Sequence, residues 1–223
     1  IKMNPLNAFG EDCTDLFRKA YENRYTWGLA FKGYKGNCIY LKDDVSYQGQ
    51  FKIGEDLKAE VYGIEEEYIK KLIYMQLWEI SIHRVRRTFN QTHGENTFTT
   101  GDINNIGMEV IVGGKNKGDR YRIKNNVVTM VYRNIHGSIV NIFTNSIKDT
   151  GSGYLSCKYT SQYLDIDSRL PKGPKNIFED NFMQLHENGP WVLIDRTIVQ
   201  ENDREQDIPI VKQKFRFEKL TRI

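Results

Sequence analysis

The residues of this chain with chemistry to offer are four histidines, three cysteines and one compact group of cations. His83, His93, His136 and His186 show neither an HExxH pattern nor any other paired metal-ligand spacing. Two of them precede glycine, as His93-Gly94 and His136-Gly137, which places both in turns as solvated side chains. Cys13, Cys38 and Cys157 are odd in number and share no short spacing, so neither a zinc cluster nor a disulfide framework is suggested. Cys157 stands between Ser156 and Lys158 in an alternating run, the pattern of a buried structural thiol. Ser152 in "TGSGYLS" lacks the G-x-S-x-G elbow of a serine nucleophile. "GGKNKGDR", residues 113–120, gathers glycines and cations, but no Ser or Thr follows a Gly-Lys pair and no helix follows to receive a phosphate. It reads as a charged hairpin loop. No catalytic residue, metal site or cofactor is assigned on these grounds.

The cations His83, Arg84, Arg86 and Arg87 lie within "YMQLWEISIHRVRRTF", residues 74–89, at the end of an apolar helical run. Two readings stay open for them. In one they finish the helix, with His83 and Arg84 bonding its last carbonyls and Arg86 and Arg87 solvated. In the other, His83 and Arg84 anchor the acidic end of an apolar ligand in a cavity lined by Leu77, Trp78 and the strand residues Val131 and Tyr132. A mostly apolar pocket with a few polar anchors is the usual small-molecule site.

Two helices are needed to position such a site. In "EDCTDLFRKAYENRYTW" the residues Cys13, Leu16, Phe17, Ala20, Tyr21 and Tyr25 share one helical face, and Asp12 is placed to cap it; the helix is expected over 12–26. The second is expected over 64–84. Ile69, Leu72, Ile73, Leu77 and Ile80 make one stripe on it, and Met75, Trp78, Ile82 and Val85 make another displaced around the axis. Glu65, Glu66 and Glu67 open it and the cations close it, as the helix macrodipole favours.

The rest reads as strand. Residues 31–61 hold three short strands with turns at Asp43-Asp44 and at Gly54-Glu55-Asp56, and beyond Phe89 one hairpin follows another, Asn125-Asn126 being suited to a two-residue turn. "RLPKGPKNIFEDNFMQLHENGP" is expected to interrupt the meander with a loop and a helical turn around Phe178 to Leu185. The fold class expected is α+β: a strongly curved antiparallel sheet, an open barrel, wrapping the largely apolar second helix, with the amphipathic helix ahead of it.

At 223 residues the chain is long enough for a real core, and one domain spanning 1–223 is expected, with 1–11 as a flexible N-terminal segment. The net charge of +3 is too small for a nucleic-acid binder. No apolar run reaches the length of about 18 residues that a membrane-spanning helix needs. The start "IKMNPLNAFGEDC" has no signal-peptide hydrophobic region, and Ile1 is not an initiator, which suggests a processed or trimmed chain.

The strings "DLFRKAYENRYTW", "HRVRRTF", "GDRYRIKNNVVTMVYRNIHG", "DTGSGYLSCKYTSQYLD" and "GPWVLIDR" resemble a family of uncharacterised proteins of cyanobacteria and plastids, a domain of unknown function, over about residues 12–200. The resemblance implies a cyanobacterial cytoplasm or a plastid stroma, with peripheral association at a thylakoid surface open. A helix inside a curved antiparallel sheet is also similar in architecture to lipoprotein-carrier half-barrels, although no motif of that family is present. Together these readings favour a non-catalytic protein that binds a lipid, carotenoid or tetrapyrrole in a photosynthetic organism. The alternative is an accessory or assembly protein docking onto a photosynthetic complex, and an enzyme comes third.

Overall fold

The computed structural model describes residues 12–201 and 211–223. The N-terminal segment 1–11 lies outside the described residues. Helix α1 spans Cys13–Glu22, and Asp12 caps it as its sequence position requires, its Oδ1 accepting from the Asp15 N–H at 2.8 Å. Strands β1 (Gly33–Lys42), β2 (Val45–Gly54) and β3 (Ala59–Tyr62) precede α2 (Glu67–Arg84). A short helix, α3 (Phe89–His93), follows. The sequence reading missed it, although Thr88 and Gln91 form a complete capping box: the Gln91 N–H donates to Thr88 Oγ1 at 3.1 Å and the Thr88 N–H to Gln91 Oε1 at 2.9 Å. Among the described residues nine further strands follow: β4 (Asn96–Ile103), β5 (Met108–Gly114), β6 (Arg120–Lys124), β7 (Val127–Ile135), β8 (Ser138–Asp149), β9 (Tyr154–Asp165), β10 (Lys175–Gln184), β11 (Trp191–Glu201) and β12 (Val211–Arg222). The protein is therefore mostly antiparallel sheet with few helices, an α+β arrangement.

The described residues fall into two compact units, each discontinuous in sequence. The first takes residues 12–25 together with Arg87–Ile177, and its strands follow the order β9-β8-β7-β6-β5-β4, a strict meander that ends in β4 and does not close. Asn125 and Asn126, at φ 53° and 59°, turn β6 into β7 in the left-handed conformation that a two-residue hairpin demands and asparagine tolerates. Under this sheet α1 buries Cys13, Phe17, Ala20 and Tyr21 against Phe98 of β4, Val110 and Val112 of β5 and Tyr121 of β6.

The second unit takes Thr26–Arg86, Phe178–Gln200 and the described residues after 210, in the order β3-β2-β1-β12-β11-β10. Here β1 pairs with β12, so early and late parts of the chain share one sheet. Phe51 and Phe217 meet edge to face at 5.2 Å, and Tyr40 tilts against Phe215 at the same separation. Helix α2 buries Ile69, Ile73, Leu77 and Ile80 and leaves its other apolar stripe outward, with Met75 and Ile82 exposed.

One segment differs in kind from expectation. The stretch around Phe178 to Leu185, anticipated as a helical turn, is strand β10. Its inward positions are Phe178, Asp180 and Phe182, and the aspartate in the middle breaks the apolar alternation that identifies a strand by sequence.

Candidate functional site

The buried face of α2 in the second unit meets the most concentrated polar chemistry of the described residues. Arg196 of β11 is 1% exposed, and Asp180 of β10 is buried beside it. The guanidinium donates from Nε to Asp180 Oδ1 and from Nη2 to Oδ2, both at 2.8 Å, the two-pronged geometry that suits a planar fork and a carboxylate. Its Nη1 donates to Gln76 Oε1 at 2.9 Å and to Glu79 Oε1 at 3.4 Å, both on α2, while its carbon lies 5.1 Å from the centre of the Phe178 ring. Burial pushes the Asp180 carboxyl up, and the Arg196 guanidinium pulls it back only in part. Every pronged contact is spent inside the unit. The pair therefore latches α2 to β10 and β11 and has no open face for an anion or a proton relay. A charged residue at position 196, where the alternation of "WVLIDRTIV" calls for an inward side chain, was the sequence signal that could have found it.

The residues singled out from sequence are divided between the two units. Leu77 is 1% exposed in the core of the second unit, whereas Trp78, the next residue on α2, is 53% exposed. His83 is exposed and Arg84 half-buried. The Arg84 guanidinium lies 5.5 Å over the Phe182 ring, and its carbonyl accepts from the Trp27 N–H at 2.8 Å. Burial raises the Tyr34 phenol far above its usual range, and the positive charge of Arg84 works against that rise. Val131 and Tyr132 lie on β7, in the first unit, where Val131 packs on the core and Tyr132 has the guanidinium carbons of Arg120 and Arg169 at 5.5 and 5.7 Å from its ring centre. Arg86 and Arg87 are exposed, and the chain turns extended at Val85.

In the first unit, His93 departs from its expected place in a solvated turn. It is 6% exposed, and the rings of Phe17, Tyr21, Phe89, Phe98 and Tyr121 surround it at 5.1 to 5.9 Å. Asn96 Oδ1 accepts from the Asn116 N–H at 2.9 Å, which turns its amide nitrogen toward His93 Nδ1, 3.1 Å away. An amide nitrogen only donates, so Nδ1 accepts and the ring is neutral with its proton on Nε2. Burial, with Arg133 and Arg24 adding to it, lowers the pKa from 6.5 to about 4. The helix α3 ends on this residue, and that brief turn of helix is what carries it inward. Cys13 and Cys38 are buried thiols, and Cys157 is a half-buried thiol rather than a fully enclosed one. Among the described residues no three His, Cys, Asp or Glu side chains are grouped to hold a metal, and no helix is long and apolar enough to cross a membrane.

The second unit also carries a hollow of about 480 Å³ on β10, β11 and β12. Met183, Leu185 and Leu220 make its apolar lining, with Asp195, Arg216, Glu218 and Lys219 beside them. Asp180, Phe182 and Arg196 point toward α2, so alternation aims Met183 and Asp195 at the opposite face of the sheet. A bulge shapes this face. The pairing of β1 with β12 shifts between Lys35 and Asn37, Lys219 takes φ 50°, and Leu220 swings over Gly36. A Cβ at Gly36 would lie 2.6 Å from the Glu218 oxygen and 2.7 Å from Leu220 Cδ2, so glycine is required there. Arg216, with Lys214 nearby, stands 3.6 Å from the Asp195 carboxylate, and Glu218 and Lys219 add one charge of each sign to the rim.

A family model described as "Protein of unknown function (DUF3386)" matches residues 9–223, which extends the likeness expected over 12–200 to the end of the chain. No curated protein and no solved structure matches.

Proposed function

The chain belongs to this DUF3386 family, and from that premise we propose that it is a non-catalytic carrier or sensor of a hydrophobic small molecule bearing an acidic end, in the class of lipids, carotenoids and tetrapyrroles. The observation that supports this is the hollow of the second unit. Its volume of about 480 Å³ falls within the roughly 300–1,000 Å³ of ordinary ligand sites, and its lining is partly apolar, with Arg216 and Lys219 among charged neighbours of both signs. Arg216 and Lys219 are the anchors in this reading, because Arg84 already lies over Phe182 and His83 faces outward. Helix α2, latched by Arg196 and Asp180, closes the other face of this sheet. The setting proposed is a cyanobacterial cytoplasm or a plastid stroma; it rests on the resemblance of the strings quoted above.

Native mass spectrometry of the chain purified from its own source, paired with solvent extraction, tests the reading. An added mass of a few hundred daltons that extraction removes is the outcome expected. A bare chain with nothing extractable would contradict it, and a co-purifying protein would turn the assignment to an accessory protein of a larger complex.

A further inference from the structure

The outer stripe of α2 is apolar, aromatic and cationic at once. Tyr68, Tyr74, Met75, Trp78 and Ile82 are all exposed, from 40% at Ile82 to 69% at Tyr68. At about 100° per residue they occupy an arc of roughly 120° on the side of the helix away from the buried Ile69, Ile73 and Ile80. Exposed Lys71 sits in the middle of that arc, and exposed Arg86 and Arg87 follow the helix. The acidic residues Glu65, Glu66 and Glu67 are confined to the N-terminal end, and beyond them the one carboxylate on α2, Glu79, reaches back to Arg196 at 3.4 Å. From its second turn onward, the outer face of the helix therefore presents only apolar, aromatic and positive groups.

We infer that this stripe docks the protein on the surface of a membrane containing anionic lipid, with α2 lying along the headgroup layer. The charge pattern chooses the occupant. A protein interface core is depleted in lysine, whereas a lysine amid apolar neighbours suits a headgroup layer, where its stem lies along the apolar side chains and its ammonium reaches phosphate. Trp and Tyr favour the same layer, one end apolar and the other wet. A helix of this kind lies in the plane of the interface and does not cross it. The stripe belongs to the opposite side of α2 from the residues that hold it to its unit, so docking and the hollow stand on separate observations.

Flotation of the full chain with ligand-free vesicles tests the inference, using phosphatidylcholine alone and phosphatidylcholine with a minority of phosphatidylglycerol. Wild type is expected to float with the anionic vesicles at low salt, to stay behind with the neutral ones, and to be released by high salt. Lys71→Gln should weaken partitioning about fivefold, the worth of one lysine near an anionic surface. Trp78→Ser should weaken it more and abolish the blue shift of emission on binding, while the urea transition, read in parallel, stays cooperative because the side chain is half exposed. Absence of flotation with anionic vesicles, equal flotation of wild type and Trp78→Ser, or a stripe-dependent dimer in sedimentation without lipid would each overturn it.

Discussion

In the first unit a buried histidine is kept neutral among five aromatic rings, whereas in the second a buried arginine keeps its charge and takes a carboxylate in with it. The difference follows from what each side chain can do. Imidazole can shed its proton near neutral pH and behave as one more ring, so desolvation is met by neutralisation. Guanidinium cannot, so it must bring a partner and satisfy its donors within the fold. The first unit thus surrounds its buried histidine with rings. The second must hold α2 at one defined position through Gln76, Glu79 and Asp180, and it is also the unit that carries the hollow and the exposed apolar stripe.

Breaking the charged pair should produce the largest effect. Asp180→Ala leaves the Arg196 charge buried without its carboxylate and should cost about 3–5 kcal/mol in urea unfolding, whereas Asp180→Leu with Arg196→Met should restore most of that. A double variant as unstable as the single one would show that the pair contributes more than its mutual compensation. The neutral histidine should reveal itself by pH. Because its folded pKa, about 4, is below the ordinary 6.5, the folded ring is neutral where the unfolded one has taken a proton. The stability tied to His93 is then complete above pH 6.5 and falls as the pH drops toward 4, by on the order of 1–2 kcal/mol once solvent screening is allowed for. His93→Phe should flatten that part of the stability profile, and an unchanged profile would mean the ring is not held neutral.

Smaller effects sharpen the contrast. Thr88→Ala removes the capping box that delivers His93 to its rings and should cost about 1 kcal/mol, with near-ultraviolet circular dichroism reporting looser aromatic packing. Arg84→Ala should cost about 0.5–1 kcal/mol through its contact with Phe182. Arg87→Ala, at an exposed position past the helix, should leave the unfolding midpoint where it is.

Much of this was legible in the sequence where local rules decide. Asp12 caps α1, Asn125-Asn126 turns a hairpin, Asp43 carries a turn at φ 53°, and the run 113–120 is a charged hairpin loop joining β5 to β6. Where long-range partners decide, it was not. Asp180 hid β10 because an inward aspartate makes sense only beside Arg196, sixteen residues further on. The two stripes of α2 both looked like core, since periodicity counts apolar residues and cannot say which of them finds a neighbour. His93 precedes a glycine as a turn residue does, and only the one-turn helix α3 carries it into the core. Discontinuous units, in which β1 pairs with β12, are likewise invisible to a reading from one end to the other.

The ligand reading is tested most directly by titrating a fluorescent long-chain fatty acid into three proteins: wild type, Leu220→Glu in the hollow, and the Asp180→Leu, Arg196→Met pair under α2. Saturable binding by wild type at one site per chain, lost in Leu220→Glu and kept when the buried pair is replaced, is the result expected. Binding that survives Leu220→Glu undiminished, or that vanishes only when the buried pair is changed, would contradict the assignment of the hollow as the ligand site.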